Sequence, residues 1–348
     1  MSGSGQGAGA AMRRETAQAP EAVARLLARE GAAMAALGAR LAAMAPPLVV
    51  TCARGSSDHA AQYLKYLLET MAGVPVASVG PSVASVYGTT PRLAGGVVVT
   101  ISQSGRSPDL IAFQQAARAG GALTVALVND TTGPVAAEAD VVVPLQAGTE
   151  ASVAATKSFV SSCAAVAALV AGWTGDAALG GALATLPEAL ERALAQDWDA
   201  AAQALADAPS SYMLGRGPAL AIAAEAALKT KETAARHAEA FSLAEVMHGP
   251  LQLVGPGFPV LAFVPDDAAV AANAEALRRI EAVGGRVFAA SHVAGLPGTV
   301  LPAVPCGHPA LEPLGMVLSF YRLVEGVARG RGLDPDRPSH LAKVTRTL

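Results

Sequence analysis

Two groups of residues in this sequence have types and spacing suited to chemistry, and they suit different tasks. The first is Ser102-Gln103-Ser104-Gly105-Arg106-Ser107-Pro108, a hydroxyl-rich turn that follows the β-branched run 97–101. Such a run suits a buried strand, and Pro108 suits the first turn of a helix, where its missing N–H costs nothing. A helix start directs free backbone N–H groups and the positive end of the dipole outward, and Ser102, Ser104 and Ser107 add hydroxyl donors around one small anion. A turn that only capped its own helix would use one of the three hydroxyls. The loop holds no lysine and no Gly-x-x-x-x-Gly-Lys spacing, so a sugar monophosphate fits better than a nucleoside triphosphate. Gly55-Ser56-Ser57-Asp58 adds two more hydroxyls after the run 48–52, although Asp58 as a helix cap explains part of that segment equally well. In residues 150–157, Ser152 and Thr156 stand before an apolar helix, where capping and ligand contact remain equally open.

The second group supplies acid–base chemistry. Glu225, Lys229 and Glu232 fall at helical spacing and share one face within about two turns. Solvated ion pairs are the commoner explanation of such a trio. The spacing predicts that this helix, running from residue 221, continues through 237–241 and leads to Glu245-Val246-Met247-His248-Gly249-Pro250. A histidine set by a Gly-Pro turn is a candidate catalytic group, with a satisfied structural histidine the alternative. In the Pro-rich tail 332–344, Lys343 is either part of a frayed terminus or an amine able to attack a carbonyl once desolvation lowers its pKa. No metal-ligand spacing is present, and no cofactor is expected.

These groups need elements to position them. Helical composition fills 15–44 and ends at Pro46-Pro47. Strands are then predicted at 48–52, 74–79, 97–101, 122–128 and 141–143, separated by helices at 58–71, 108–119 and 134–139. This alternation predicts an α/β fold with a parallel sheet covered on both faces, whose ligands lie beyond the strand carboxyl ends, where 102–107 falls. A helical segment at 178–208 leads to a second round with strands at 211–217, 259–264, 285–290 and 300–304 and a helix at 268–282. Tyr212-Met213-Leu214-Gly215-Arg216-Gly217 echoes Val50-Thr51-Cys52-Ala53-Arg54-Gly55, a weak repeat of domain size. In the second copy Pro265-Asp266-Asp267 replaces the hydroxyl turn, and two aspartates repel a phosphate, so one phosphate site is expected. The reading divides the chain into a leading helical segment 1–45, domains at 46–177 and 209–330 joined by 178–208, and a tail from 331.

The 348 residues suffice for two domains, and with 52% hydrophobic but only 4% aromatic residues the cores must be built from Ala, Val and Leu. A net charge of −3 and the lack of any Lys/Arg block speak against nucleic acid. Cys52, Cys163 and Cys306 are scattered in apolar surroundings, as reduced thiols of a cytoplasmic protein would be. No signal-peptide core follows Arg13-Arg14, and the uncharged stretch 158–175 reads as a buried helix, not a membrane span.

In order and spacing, 55–57, 102–107, 148–157, 225–232, 237–240, 245–250 and 341–343 resemble the tandem sugar isomerase (SIS) domain proteins. Nearest in pattern are the isomerase half of glucosamine-6-phosphate synthase and the stand-alone glucosamine-6-phosphate deaminases. The resemblance implies two flavodoxin-like three-layer α/β/α domains and a homodimer in which one subunit completes the other's site. It implies phosphate on Ser102, Gln103, Ser104 and Ser107, with Ser56, Ser57 and the Val153 backbone near the sugar. It further implies that Glu232 moves a proton between C1 and C2, His248 opens the ring, Lys343 meets the carbonyl carbon and Lys229 supports the site. Proton transfer would need Glu232 partly buried and poorly neutralised, to bring its pKa toward neutrality.

Departures narrow the reading. The synthase carries a glutamine-hydrolysing domain with an N-terminal cysteine, whereas residue 2 is Ser2 and no cysteine precedes Cys52. The expectation is therefore deamination of glucosamine 6-phosphate to fructose 6-phosphate and ammonia, without glutamine. Met247 stands where the synthase has lysine, and Arg106 where it has an acidic residue, which leaves the sugar epimer open. The alternatives are isomerisation of another amino-sugar phosphate, ammonia-dependent synthesis, or a sugar-phosphate sensor without catalysis.

Overall fold

Short apolar strands mostly alternate with helices along the chain, and each crossover brings it back to the same end of the sheet, so neighbouring strands pair in parallel. A computed structural model describes residues 7–343. In chain order the elements are α1 (Ala10–Ala17), α2 (Ala19–Met44), β1 (Val49–Cys52), α3 (Ser56–Leu67), β2 (Val76–Ser78), α4 (Ser82–Ser85), β3 (Val97–Ser102), α5 (Pro108–Ala119), β4 (Leu123–Val128), α6 (Pro134–Ala137), β5 (Val141–Pro144), α7 (Lys157–Thr174) and α8 (Ala177–Ala184). They continue with α9 (Leu186–Leu194), α10 (Asp199–Asp207), β6 (Ser210–Gly215), α11 (Pro218–Ala234), β7 (His237–Ser242), β8 (Pro259–Phe263), α12 (Val270–Ala282), β9 (Arg286–Ser291), β10 (Thr299–Pro302) and α13 (Glu312–Gly330).

The strands form two parallel five-stranded sheets, ordered β2-β1-β3-β4-β5 and β10-β9-β8-β6-β7, in three-layer α/β/α arrangements. Numbered within its own half, the second sheet has the order 2-1-3-4-5 of the first, which is the flavodoxin-like order. The weak sequence repeat is thus a repeat of fold. It reaches the backbone: Gly55 (φ 55°, ψ −134°) and Gly217 (φ 59°, ψ −137°) make the same turn between first strand and first helix, in a region that only glycine enters freely.

By contact the described chain divides into two units, neither continuous in sequence. One comprises Ala19–Thr149 and Lys157–Pro187; the other comprises the described residues of Met1–Gln18, with Glu150–Thr156 and Glu188–Lys343. The first unit has Val50, Val98, Phe113, Ala126 and Val128 in its core. Its α7 is apolar enough to cross a membrane by composition, but 83% of that window is buried, as the reading of a buried helix expects. The second unit's core includes Tyr212, Leu214, Val260, Leu277 and Val287.

One expectation is overturned. The helix carrying the acid–base trio does not continue through 237–241: α11 stops at Ala234, Ala235 takes a left-handed conformation (φ 47°), and β7 pairs with β6 from Ser210↔His237 to Gly215↔Ser242. The buried α13 was not foreseen.

Candidate functional site

In the first unit the hydroxyl turns sit at the carboxyl ends of β1 and β3, where unpaired backbone groups of a parallel sheet face outward. The position before α3 is Gly55, which has no side chain, so Ser57 and Asp58 lie inside the first turn and neither stands at the cap. Burial raises the Asp58 pKa, against the pull of His59 and Arg54. Ser107 is the residue before α5, yet its hydroxyl makes no capping bond. Ser102 Oγ accepts the Gly105 N–H at 3.0 Å and Ser104 Oγ the Arg106 N–H at 3.4 Å. An accepting hydroxyl keeps its own proton to donate, so both side chains shape the loop and remain donors.

Two ionic contacts brace these turns. Arg54 Nε and Nη2 both lie 2.9 Å from Oδ2 of Asp109, whose side chain is fully buried and whose Oδ1 accepts the Leu110 N–H at 2.9 Å. This joins the β1–α3 turn to the start of α5. Arg106 turns to Asp130 (2.9 Å) and Thr132 Oγ1 (3.0 Å), so it buttresses the loop. Thr132's hydroxyl and amide, followed by Arg106, hold Asp130 below the usual carboxylate range. Gln103 is anchored through its carbonyl, which accepts the Asp130 N–H at 3.2 Å.

The second unit holds the acid–base groups. On α11, Lys229 Nζ lies 2.5 Å from Glu232 Oε2 and 3.4 Å from Glu225 Oε1, and Tyr321 of α13 donates its hydroxyl to Glu225 Oε1 at 2.9 Å. Lys229 and Glu225 are 1% and 0% exposed and Glu232 is 20% exposed, so this is no solvated face. Burial pulls the Lys229 pKa down, but the two carboxylates outweigh it and the net direction is up. The expected poorly neutralised setting of Glu232 is corrected, since a buried ammonium stands against it. His248 is exposed on the turn after Glu245–Met247, with its N–H donated to the Glu245 carbonyl at 2.9 Å.

Residues 150–156, which carry Val153, also belong to the second unit. Ser152 Oγ and Thr156 Oγ1 are buried with no hydrogen-bond partner among the described residues, so neither caps a helix. Lys343 Nζ lies 3.1 Å from Glu150 Oε2, whose side chain is fully buried. The structure thus brings Lys229 to Glu232, and Lys343 to the loop of Val153, while Ser56, Ser57, Ser102, Gln103, Ser104 and Ser107 lie in the other unit. Sequence reasoning missed Tyr321, Glu15 and the Arg54–Asp109 pair, which carry no local signal because their partners are distant in sequence. A cavity of about 540 Å³ opens at the amino ends of β6, β8 and β9, beside Ser210, Pro259 and Arg286, and includes none of the predicted site residues.

A profile of the SIS domain matches residues 48–172 and 204–289. Glutamine–fructose-6-phosphate aminotransferase (isomerizing) of Halobacterium salinarum is 37% identical over 317 residues, covering 85% of this chain and 51% of its own length. The chain spans about half the length of the curated relatives it matches. A crystal structure of a candidate phosphosugar isomerase from Silicibacter pomeroyi is 47% identical with a TM-score of 0.89, covering 93% of this chain and 99% of that one. The C-terminal domain of glucosamine-fructose-6-phosphate aminotransferase from Francisella tularensis has a TM-score of 0.81 at 26% identity, covering 94% and 98%.

Proposed function

The chain belongs to the SIS domain family, and from that premise we propose that it is a phosphosugar isomerase converting glucosamine 6-phosphate and water to fructose 6-phosphate and ammonia. The sugar ring opens, the C2 proton moves to C1, and the resulting C2 imine is hydrolysed. The atoms balance without oxidant, metal or organic cofactor. In this reading phosphate rests on Ser102, Gln103, Ser104 and Ser107, with Ser56, Ser57 and the Val153 backbone toward the sugar. His248 opens the ring and Glu232 carries the proton. Lys343 adds to the C2 imine carbon and ammonia leaves, and water then cleaves the lysine imine to give fructose 6-phosphate and the free amine; the ammonium must first lose a proton, and Glu150 Oε2, 3.1 Å away, is within reach to take it.

The observation that carries the reading is the trio on α11: a buried ammonium fixes a carboxylate that is itself still 20% exposed. A fixed, reachable carboxylate is what a C1–C2 proton transfer requires. The relatives' names add support, since they join fructose 6-phosphate, amino transfer and isomerisation. The proposal includes a cytoplasmic homodimer with shared sites, which mass measurement in solution tests.

The deciding experiment supplies the purified protein with glucosamine 6-phosphate and reads ammonia and fructose 6-phosphate in parallel. Both products are expected, and Glu232→Gln should lower turnover about 10²–10⁴-fold while leaving binding intact. Retained turnover in that variant removes Glu232 from the role. Binding without ammonia overturns deamination in favour of another amino sugar, isomerisation alone, or a sensor.

A further inference from the structure

Helix α1 has eight residues and follows Gly9, which has no capping side chain. A helix this short is marginal by itself, and its first N–H groups need acceptors. They find them in the C-terminal tail. Asp336 accepts the Ala11 and Met12 N–H groups, each at 2.8 Å, one on each carboxylate oxygen, and Asp334 Oδ1 accepts the Gly9 N–H at 3.0 Å. Asp334 Oδ1 also accepts the Asp336 N–H at 3.1 Å, so the two aspartates form one folded turn around buried Pro335. The approach is tight: a Cβ at Gly9 would run into Glu325 Oε1 and lie 3.0 Å from Pro335 Cγ. Arg13 tacks the helix to α13 through Glu325 at 2.7 Å.

The helix's other half ends in a second grip. Glu15 is 3% exposed, and its carboxylate accepts the Ala151 and Ser152 N–H groups at 2.5 and 3.1 Å. Glu150 closes that loop by accepting the Thr156 N–H at 2.9 Å on one oxygen and meeting Lys343 with the other. The contacts make a ring: tail aspartates to α1, α1 to the 150–156 loop, the loop to Lys343, and Lys343 back along the tail. Every link lies within one unit.

We propose that α1 is a positioning helix, with Asp336 and Glu15 as positioning residues that set the Lys343 tail against the Val153 loop. This rests on the reading that Lys343 and Val153 serve the site. Each carboxylate accepts two backbone N–H groups, which ties it to the segments it joins. Their effect comes through the segments they hold, and small misplacements of reacting groups cost large factors in rate.

The test uses the full chain, with Asp336→Asn and Glu15→Gln read by amide hydrogen exchange and by turnover of glucosamine 6-phosphate. Asp336→Asn should speed exchange about tenfold or more at Ala11 and Met12 and also at Ala151 and Ser152, at the far end of the helix. Both variants should lower kcat about 10- to 100-fold with a smaller change in KM. Asp336→Glu, which keeps both acceptor oxygens, should recover most of it. Faster exchange confined to Ala11 and Met12 overturns the proposal, as does faster exchange in the loop with kcat unchanged. If Glu15→Gln fails to fold, Asp336→Asn reads the same ring from its other side. If the wild type releases no ammonia, the functional reading falls, and the exchange at Ala151 and Ser152 still decides whether α1 couples tail to loop.

Discussion

Replacing Lys229 with methionine keeps the stem's volume and removes the ammonium from the centre of the trio. The wild-type Nζ is 2.5 Å from Glu232 and 3.4 Å from Glu225, with exposures of 1% for the lysine and 0% for Glu225. Deleting one partner of a buried pair costs about 3–5 kcal/mol, whereas an exposed pair contributes about 0.2–1 kcal/mol. Glu232 can rehydrate and Glu225 keeps the Tyr321 hydroxyl, so the loss should fall near the lower end of the buried range, about 3 kcal/mol. Urea unfolding of the unit that carries α11 should show it as a lower midpoint with unchanged slope. The double variant Glu225→Gln, Lys229→Met also removes the fully buried charge and should regain about 1–3 kcal/mol over the single. A loss under about 1 kcal/mol would place the trio with ordinary surface pairs. A double variant no more stable than the single would refute the argument that the uncompensated Glu225 charge sets the cost.

Because the folded Lys229 pKa is raised from 10.5, the trio's contribution should be fully present below about that pH and lost as pH rises through the higher folded value; urea midpoints that already fall near neutrality because of this lysine would contradict it. Burial, reinforced by Asp109 for Cys52 and by Glu312 for Cys306, pushes both thiols up to about 12. Iodoacetamide near neutral pH should therefore label neither in the folded protein and both after unfolding, and native labelling would refute the burial argument. Gly105 has φ 61° and a Cβ there would lie 3.2 Å from the Asp130 carbonyl oxygen. Gly105→Ala should destabilise the protein by about 1–3 kcal/mol and weaken its thermal protection by glucosamine 6-phosphate; no change in either would remove the loop from the phosphate role.

The fold was legible where local pattern and tertiary outcome agree. The Val-rich runs became β1, β3 and β4 within a residue of their expected bounds, since a buried parallel strand needs only a short β-branched run between turns. It failed at β7. His237-Ala238-Glu239-Ala240 has helix-favouring residues, no Gly or Pro marks the break, and α11 ends at an alanine in the left-handed region. What makes it a strand is pairing to β6, residues away in sequence, and an edge strand with one face buried has little local signature. Helix α13 was lost for a different reason: residues 313–321 are all buried, so its first half offers no polar face to mark the helical period, and Pro313 and Gly315 lower its local helix preference. In the candidate site, the spacing of Glu225, Lys229 and Glu232 showed the shared face. It did not show burial, which depends on Tyr321 and the rest of α13.

The two halves make the same backbone and differ where the third strand of each ends. After β3 the turn offers Ser102, Ser104 and Ser107, with Arg106 turned to Asp130. After β8 the equivalent turn is Pro265-Asp266-Asp267: the Asp266 N–H is given to Glu312 Oε2 at 2.8 Å, and Asp267 Oδ1 accepts the Ala269 N–H at 2.8 Å. Glu312 also holds His292 at 2.8 Å, so this edge carries three carboxylates. Burial raises the Asp267 pKa against the pull of the Ala269 N–H. In the second copy the N–H groups after the strand are thus taken by protein carboxylates, whereas in the first the Gly105 and Arg106 N–H groups go to serine hydroxyls that keep their own protons to donate. One topology can thus carry two chemically different edges, because at this position a few side chains decide whether the strand end presents hydroxyl donors or carboxylates.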